Sequence, residues 1–285
     1  MKKKVTDFAR MKRTGEKIAM VTAYDYTFAR IAEAAEVDMI LVGDSAGMVM
    51  LGYDNTLPVT IEHMITFGAA VRRGAPDTFI VIDMPFGSYQ AGEDKAVSNA
   101  VEIMKRTGAD ALKLEGGKEV ISLIERLVTA GIPVMGHVGM TPQKALRFGG
   151  FIVQGRNEAA ADAVIADSIA LGQAGAFIVV VEAVPAPVAG IITSLLDVPT
   201  IGIGAGLLCS GQVLVMHDLL GFTPEDSTAR FVNRYASLSN TALEAFKQYR
   251  KEVKQAVFPG TQHQYRMSEE ECARLVAKYS PDCNV

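Results

Sequence analysis

Short apolar runs rich in β-branched residues alternate along the chain with segments whose apolar residues recur three and four positions apart. The apolar runs cover residues 17–24, 38–43, 79–85, 111–116, 133–139, 177–184, 199–206 and, more weakly, 212–218. Runs that are apolar at nearly every position are typical of strands buried on both faces, as in parallel sheets. We therefore predict eight parallel strands.

The segments between these runs have helical periodicity. They cover residues 25–36, 61–74, 93–108, 119–131 and 159–175. Several end at a glycine that precedes a new apolar run, which is a common signal of a helix C-terminus. Eight strands with helices between them predict an α/β fold, a (β/α)₈ TIM barrel, and the alternative is a doubly wound open sheet. The strand count and the absence of a change in composition along the chain favour the barrel.

A single barrel domain is predicted over residues 1–285, with a short N-terminal helical segment and a C-terminal helical extension. Residues 237–257 predict a long amphipathic helix that closes the barrel, and another short helix begins near Ser268. The long helix and the N-terminal segment 6–17 lie outside the predicted barrel core. Both are therefore candidates for contacts between subunits.

The composition is that of an ordinary soluble protein, with 49% hydrophobic and 21% charged residues among 285. The formal net charge of -4 gives no attraction to nucleic acid or anionic membrane. The N-terminal residues lack the apolar region of a signal peptide, and no apolar run has the length of a membrane span. Cys209, Cys272 and Cys283 are an odd number without CxxC spacing, which predicts a reduced, cytoplasmic protein.

Polar residues stand at or just after the ends of five successive predicted strands. They are Asp44, Ser45, Asp83, Lys113, Glu115, His137 and Glu182. Each has a structural interpretation when taken alone, since a strand-end Asp often caps the next helix and a lone His is often a hydrogen-bonded core residue. The active sites of these barrels lie at the C-terminal ends of the strands. The repetition over five strands therefore predicts one shared site.

Three of these residues are carboxylates that a barrel would bring together, namely Asp44, Asp83 and Glu115. In a poorly solvated pocket they would repel one another and raise each other's pKa values. A divalent cation removes this conflict, and oxygen ligands without cysteine favour Mg²⁺ over Zn²⁺. Because Mg²⁺ usually takes one or two protein carboxylates, we expect Asp44 and Asp83 to bind directly and Glu115 to act through water.

Lys113 lies two residues before Glu115, so both side chains face the barrel interior if this run is a strand. Lys113 has two interpretations, a Schiff-base nucleophile or a fixed positive charge for a substrate carboxylate. A metal ion that accepts electron density favours the second. Glu182 is flanked by apolar residues along its strand, which predicts a raised pKa and the role of general base.

Six motifs resemble, in order and spacing, those of the ketopantoate hydroxymethyltransferase family. They are VGDSAGMVMLGYDNTLPVTIEHM, DMPFGSYQ, ALKLEGG, GHVGMTPQ, VVEAVP and GIGAG followed by GQVLVMHDLLG. The resemblance covers about residues 5–265 and implies a barrel of the phosphoenolpyruvate/pyruvate type. It implies that the oxo acid 3-methyl-2-oxobutanoate is the substrate and 5,10-methylenetetrahydrofolate the one-carbon donor. It also implies a large ring of subunits, commonly a decamer.

The resemblance also implies roles for the strand-end residues. Asp44, Asp83 and Glu115 would form the Mg²⁺ site, Glu182 would accept the proton, and the oxo acid would be held by Asp44, Ser45, Asp83 and Lys113, with His137 as a further polar group. One position departs from the family pattern, because Ser210 stands where the family has an aspartate.

Two alternative functions remain open from the sequence. One is another Mg²⁺-dependent 2-oxo acid lyase or phosphonomutase barrel, which is expected to carry a cysteine-bearing loop that this sequence lacks. The other is a barrel that has lost catalysis and serves in binding. Such a barrel would have lost the base or a metal ligand, whereas all of these residues are present.

Overall fold

Eight parallel strands close into one barrel in a computed structural model that describes residues 2–223 and 229–279. The strands are β1 (Ile18–Thr22), β2 (Met39–Val42), β3 (Phe79–Asp83), β4 (Ala111–Glu115), β5 (Val134–Gly139), β6 (Ile178–Glu182), β7 (Thr200–Ile203) and β8 (Gly211–Leu214). The barrel is closed by pairing of β1 with β8, in which Ile18 lies opposite Gly211. The predicted barrel is therefore confirmed, and the open sheet is excluded.

Twelve α-helices are present in the part of the chain that the structure describes. They are α1 (Val5–Thr14), α2 (Tyr26–Ala34), α3 (Ala46–Val49), α4 (Ile61–Gly74), α5 (Glu93–Thr107), α6 (Ile121–Thr129), α7 (Ala145–Phe148), α8 (Glu158–Gln173), α9 (Ala186–Leu195), α10 (Met216–Leu219), α11 (Leu238–Lys254) and α12 (Glu269–Tyr279). The five helices expected between strands are confirmed to within a few residues. The sequence analysis did not predict α9, and it was wrong to extend the eighth strand to residue 218, because α10 begins at Met216.

The chain forms two compact units, Met1–Ala236 and Ser237–Val285. The first contains the barrel, and the second contains α11 and α12. Both C-terminal helices were predicted, but closure of the barrel by the first of them stays a prediction, as does the single-domain organisation. Cys283 lies outside the described residues. Among the residues that are described, no helix combines the length and the apolar character needed to span a membrane.

The lower part of the barrel interior, at the N-terminal ends of the strands, is an apolar cluster. It includes Phe8, Met11, Phe79, Met135, Phe177, Ile178 and Ile201. Phe8 and Met11 belong to α1 and are completely buried, and the ring of Phe8 meets that of Phe79 edge to face with 5.1 Å between centroids. The expectation that residues 6–17 lie outside the core is therefore wrong. The amphipathic α1 buries its apolar face against the barrel, since that face would otherwise remain in water.

Candidate active site

A cavity of about 90 Å³ opens at the C-terminal ends of the strands, above the apolar cluster. All seven of the polar residues predicted from the sequence line it. They are Asp44, Ser45, Asp83, Lys113, Glu115, His137 and Glu182. Apolar side chains complete its walls, among them Leu41, Val180, Ile203 and Val213. The barrel therefore brings side chains from five strands to one place.

The charged residues reach the interior because strand residues alternate between the two faces of the sheet. On β4, Ala111 belongs to the apolar cluster below, and Lys113 and Glu115 line the cavity above it. The intervening Leu112 and Leu114 belong to the core between sheet and helices. This strand is buried at every position, so the charged groups depend on one another for stabilisation.

Lys113 lies at the centre of the buried charges. Its Nζ is 2.7 Å from Asp83 Oδ1 and 4.0 Å from Glu115 Oε1. The same atom is 3.4 Å from His137 Nδ1. Although burial acts to lower the pKa of Lys113, the carboxylates of Asp83 and Glu115 raise it above its ordinary value. The lysine is therefore held protonated, and a protonated amine cannot act as a nucleophile.

The carboxylates are not equally well compensated. Burial raises the pKa of Asp83, although Lys113 opposes this effect. Burial also acts to raise the pKa of Glu115, but His137 and Lys113 outweigh it and the pKa is lowered. Burial and then the charges of Asp83 and Glu115 raise the pKa of Asp44 well above its ordinary value. Asp44 is therefore the carboxylate for which the protein supplies least positive charge.

His137 lies between two carboxylates. Its Nδ1 is 3.5 Å from Glu115 Oε1, and its Nε2 is 3.2 Å from Glu182 Oε2. Burial and the charge of Lys113 act to lower the pKa of His137. The Glu115 and Glu182 carboxylates outweigh both effects, so the pKa is raised to about 9. The imidazole is therefore positively charged at neutral pH and joins the base candidate to the buried cluster.

Glu182 is the most open of the charged residues, with 15% of its side chain exposed compared with 2% for His137. From the sequence we expected the apolar neighbours of Glu182 on its strand to keep water away from its carboxylate. These neighbours do not enclose it. Val181 belongs to the core between sheet and helices, so it faces away from the cavity. The residue after Glu182 is Ala183, which has a positive φ of 48° where the chain leaves β6.

Neither Asp44 nor Ser45 uses its side chain to cap the short helix α3. Asp44 donates its backbone N–H to Asp83 Oδ2 at 3.0 Å, while Ser45 Oγ is 2.8 Å from the hydroxyl of Tyr24. Asp83 thus fixes the backbone from which Asp44 projects. The structural interpretation of the strand-end aspartate as a helix cap therefore does not apply here.

The sequence analysis missed three residues of the site, namely Tyr24, Tyr89 and Gln143. Gln143 contacts both Asp44 and Glu115, and Tyr89 donates its hydroxyl to Gln143 Oε1 at 2.6 Å. Gln143 lies in the GHVGMTPQ motif, but a glutamine four residues beyond a strand end has no chemical signal of its own. The two tyrosines are core residues by type, so only the structure reveals their contacts.

The carboxylates of the cavity are the possible ligands of the predicted metal ion. Across residues 2–223 and 229–279, no three His, Cys, Asp or Glu side chains are already arranged as ligands of one ion. Glu115 Oε1 is nevertheless buried without a hydrogen bond, and at Asp44 the effects of burial and of the charges of Asp83 and Glu115 outweigh the positive charge of Lys113. Because Mg²⁺ needs one or two carboxylates and takes its other ligands from water or substrate, these residues fit it.

The chain matches the family model described as ketopantoate hydroxymethyltransferase over residues 2–261. A protein from Heliobacterium modesticaldum named 3-methyl-2-oxobutanoate hydroxymethyltransferase is 49% identical over 272 residues, which cover 95% of this chain and 98% of the relative. A protein of the same name from Moorella thermoacetica is 52% identical over 256 residues, which cover 90% of this chain and 95% of the relative.

Solved structures share the barrel at much lower identity. Phosphonopyruvate hydrolase in complex with oxalate and Mg²⁺ has a TM-score of 0.60 at 11% identity, covering 99% of this chain and all of that one. 2,3-Dimethylmalate lyase, a member of the PEP mutase/isocitrate lyase superfamily, has a TM-score of 0.56 at 15% identity. The match covers 96% of this chain and 94% of that one. At such identity these matches establish the barrel type and nothing about the reaction.

Proposed function

The chain belongs to the ketopantoate hydroxymethyltransferase family and is a transferase, and on that premise we propose its substrates and its chemistry. The proposed reaction transfers a hydroxymethyl group from 5,10-methylenetetrahydrofolate to 3-methyl-2-oxobutanoate. With the addition of one water molecule it gives 2-dehydropantoate and tetrahydrofolate. The product is a precursor in pantothenate biosynthesis.

One observation carries this proposal, namely the pairing of a proton acceptor with buried carboxylates across one small cavity. Glu182 and His137 line it on one side, and Asp44 and Asp83 project into it from β2 and β3. A 2-oxo acid with an apolar branch needs charged groups for its oxygens and apolar walls for its methyl groups. Val180 and Ile203 supply such walls.

Proton removal from C3 of the oxo acid is assigned to Glu182. Its Oε2 lies 3.2 Å from His137 Nε2, so the charged imidazole attracts the carboxylate. Glu182 takes the C3 proton, and the electron pair moves towards the keto oxygen. The electron pair then returns to C3, which forms a bond to the one-carbon unit. Both bonds from that unit to the folate nitrogens are broken in the course of the reaction, and the water molecule supplies the hydroxyl group and the protons that the folate nitrogens take up. The apolar walls limit the access of water to this carbon while it is reactive.

The remaining polar residues hold and orient the oxo acid. Lys113 provides a fixed positive charge, since its amine stays protonated beside Asp83. Ser45 provides a hydroxyl whose direction is set by Tyr24. Asp44 and Asp83 would hold Mg²⁺, and Glu115 would act on it through water. When bound, Mg²⁺ supplies a Lewis acid for the adjacent keto and carboxylate oxygens of the substrate.

A single assay tests the proposal. The purified protein is incubated with 3-methyl-2-oxobutanoate, 5,10-methylenetetrahydrofolate and Mg²⁺, and 2-dehydropantoate is measured by NMR. We expect product with the complete mixture and none after the metal is removed with a chelator. Undiminished turnover under chelation would rule out the metal, and no turnover in the complete mixture would rule out the substrates.

We also propose that the protein is a cytoplasmic homo-oligomer and a ring of ten subunits, as the resemblance implies. Free cysteines support a reducing compartment, since Cys209 and Cys272 are both unpaired. With the apolar face of α1 packed against the barrel, the C-terminal helices are the stronger candidates for subunit contacts. Light scattering at micromolar concentration measures the mass, and a monomer would contradict the proposal.

A further inference from the structure

Gln143 occupies a position that no step of the proposed reaction explains. It lies in a single 3₁₀ turn, Pro142–Lys144, which follows β5 and begins with a proline that presets the turn. Its side chain points into the protein, and only 5% of the residue is exposed. A buried amide must satisfy two donors and one acceptor group, so its contacts define its orientation.

The side-chain amide and the backbone N–H of Gln143 all form hydrogen bonds. Its backbone N–H donates to Glu115 Oε2 at 3.0 Å. Its side-chain Nε2 donates to Asp44 Oδ2 and to the carbonyl oxygen of Met84, both at 2.9 Å. Its Oε1 accepts from the Tyr89 hydroxyl at 2.6 Å and more weakly from Gln90 Nε2 at 3.5 Å. One residue therefore holds two carboxylates that come from different strands, β2 and β4.

The orientation of the amide is fixed by these partners. Met84 presents a carbonyl oxygen, which accepts only, so the nitrogen of Gln143 must face it. The Tyr89 hydroxyl, with 7% of that residue exposed, donates on the opposite side. An inverted amide would place its oxygen against Asp44 and Met84. The nitrogen is thus directed at Asp44 before any ligand arrives.

We propose that Gln143 is a positioning residue that presents Asp44 to the divalent cation, an inference that rests on the proposed function. The two carboxylates expected to hold the ion are treated differently by the protein. Asp83 is paired with the positive charge of Lys113 at 2.7 Å, whereas Asp44 is held by a neutral amide. A neutral donor fixes the carboxylate without cancelling the charge that the cation requires.

The contact also decides which oxygens remain available. Gln143 engages Oδ2 of Asp44 and Oε2 of Glu115. Glu115 Oε1 is left buried without a hydrogen bond. In the absence of Gln143, repulsion from Asp83 and Glu115 would favour rotation of the Asp44 carboxylate. Partners that orient metal ligands in this way typically change metal affinity by about 10- to 100-fold when they are removed.

The test is the Gln143→Met variant, which keeps the length of the side chain and the backbone N–H to Glu115 but removes the amide. Mn²⁺ binding is measured by electron paramagnetic resonance and Mg²⁺ binding by calorimetry, both without substrate. We expect affinity about 10- to 100-fold weaker than that of the wild type. Gln154→Met is the matched control, because this glutamine lies in the same connection between β5 and α8 and, within the described part of the chain, its side-chain amide donates only to the Ile152 carbonyl oxygen. Its affinity should equal that of the wild type.

A second variant protects the test against misfolding. Tyr89→Phe leaves Gln143 in place but removes the shorter of the two hydrogen bonds to its Oε1. Cation affinity should therefore fall by about 2- to 10-fold, the value of one ordinary hydrogen bond. If both variants fold and bind the cation as tightly as the wild type, this inference is wrong while the proposed function stands. If the wild type itself binds no divalent cation, the metal of the proposed function fails and this inference fails with it.

Discussion

The two ends of the barrel interior are built from the same strands but have opposite chemistry. The lower end is closed by α1 and filled with aromatic and aliphatic side chains, among which Phe8 packs against Phe79. The upper end contains Asp83, Lys113 and Glu115, which are equally buried but charged. Burial stabilises the lower end, whereas at the upper end it is a cost that the ion pairs offset in part.

The change from one chemistry to the other takes place within two residues. On β5, Met135 belongs to the lower cluster and His137 lines the cavity. On β6, Val180 lies below Glu182 in the same way. The comparison teaches that stability and reactivity are separated by height in the barrel rather than by element. Substitutions at the upper end should therefore change the chemistry without lowering stability, and those at the lower end should lower stability without changing the chemistry.

The largest expected effect is at the upper end, in Glu182→Gln. Removal of a general base typically costs about 10²- to 10⁴-fold in rate, so exchange of the C3 proton of the oxo acid with deuterated solvent should fall by this factor. The exchange needs no folate and is followed by NMR with Mg²⁺ present. The free energy of unfolding of this variant should equal that of the wild type.

The exposed Glu158 provides the control, and Glu158→Gln should exchange like the wild type. If Glu182→Gln exchanges at the wild-type rate, the base is another residue, and His137 becomes the first candidate.

The next effect is at the lower end, in Phe8→Ala. Truncation of a completely buried Phe should lower the free energy of unfolding by about 3–5 kcal/mol, because a cavity is left under the barrel. Urea unfolding measures this loss, and exchange per folded molecule should remain at the wild-type rate. Phe86→Ala is the same change at an exposed residue, so its effect should stay within about 0.5 kcal/mol. Loss of exchange in folded Phe8→Ala would break the separation between the ends.

Asp44→Asn should change the free energy of unfolding by less than Phe8→Ala and in the opposite direction. Burial and the charges of Asp83 and Glu115 raise the pKa of Asp44 above its ordinary value of 3.8. The folded protein therefore binds this proton more tightly than the unfolded chain, and metal-free protein loses stability as the pH rises from 3.8 through the raised value. Asn cannot ionise, so the variant should be more stable at pH 8 by about 0.5–2 kcal/mol.

Thermal unfolding with a chelator at pH 5 and pH 8 measures this difference, which should grow with pH. Mg²⁺ should then stabilise the wild type and leave Asp44→Asn unchanged. Asp54→Asn, the same change at an exposed position, is the control. A metal-free Asp44→Asn variant that is less stable than the wild type at both pH values would contradict the account of charge at the upper end.

The smallest expected effect is no change at all, in borohydride trapping at Lys113. Burial acts to lower the pKa of this amine, but Asp83 and Glu115 outweigh burial and raise the pKa above its ordinary value. The amine therefore stays protonated and forms no Schiff base with the oxo acid. Mass spectrometry after borohydride treatment should find Lys113 unmodified. A reduced adduct on this residue would replace the electrostatic role with a covalent one.

The sequence predicted the upper end well because charged residues interrupt otherwise apolar strands. Asp83, Lys113 and Glu182 stand out in this way, and the alternation of strand residues places them in the interior. The lower end was predicted less well. Phe8 lies in a short amphipathic segment, and an apolar stripe on a helix does not reveal whether it faces the barrel or another subunit.

Contacts between loops were the part that the sequence could not predict. Gln143 and Tyr89 come from separate connections, and their hydrogen bond depends on how the two loops fold over the strand ends. Ser210 is a related case. It departs from the family pattern, and its backbone N–H donates to Thr200 Oγ1 at the N-terminal end of β7, which is the end of the strand away from the cavity.

The seam between β1 and β8 has a consequence for the order in which the protein can form during synthesis. Ile18 pairs with Gly211, so the ring stays open until nearly the whole barrel sequence has left the ribosome. Joining such distant segments carries a high loop-closure entropy, which slows folding. The residues of the cavity, from Asp44 to Glu182, are all synthesised before the seam. The nascent chain therefore carries these residues before the ring can close around them, and the enclosed cavity forms only when β8 has been added.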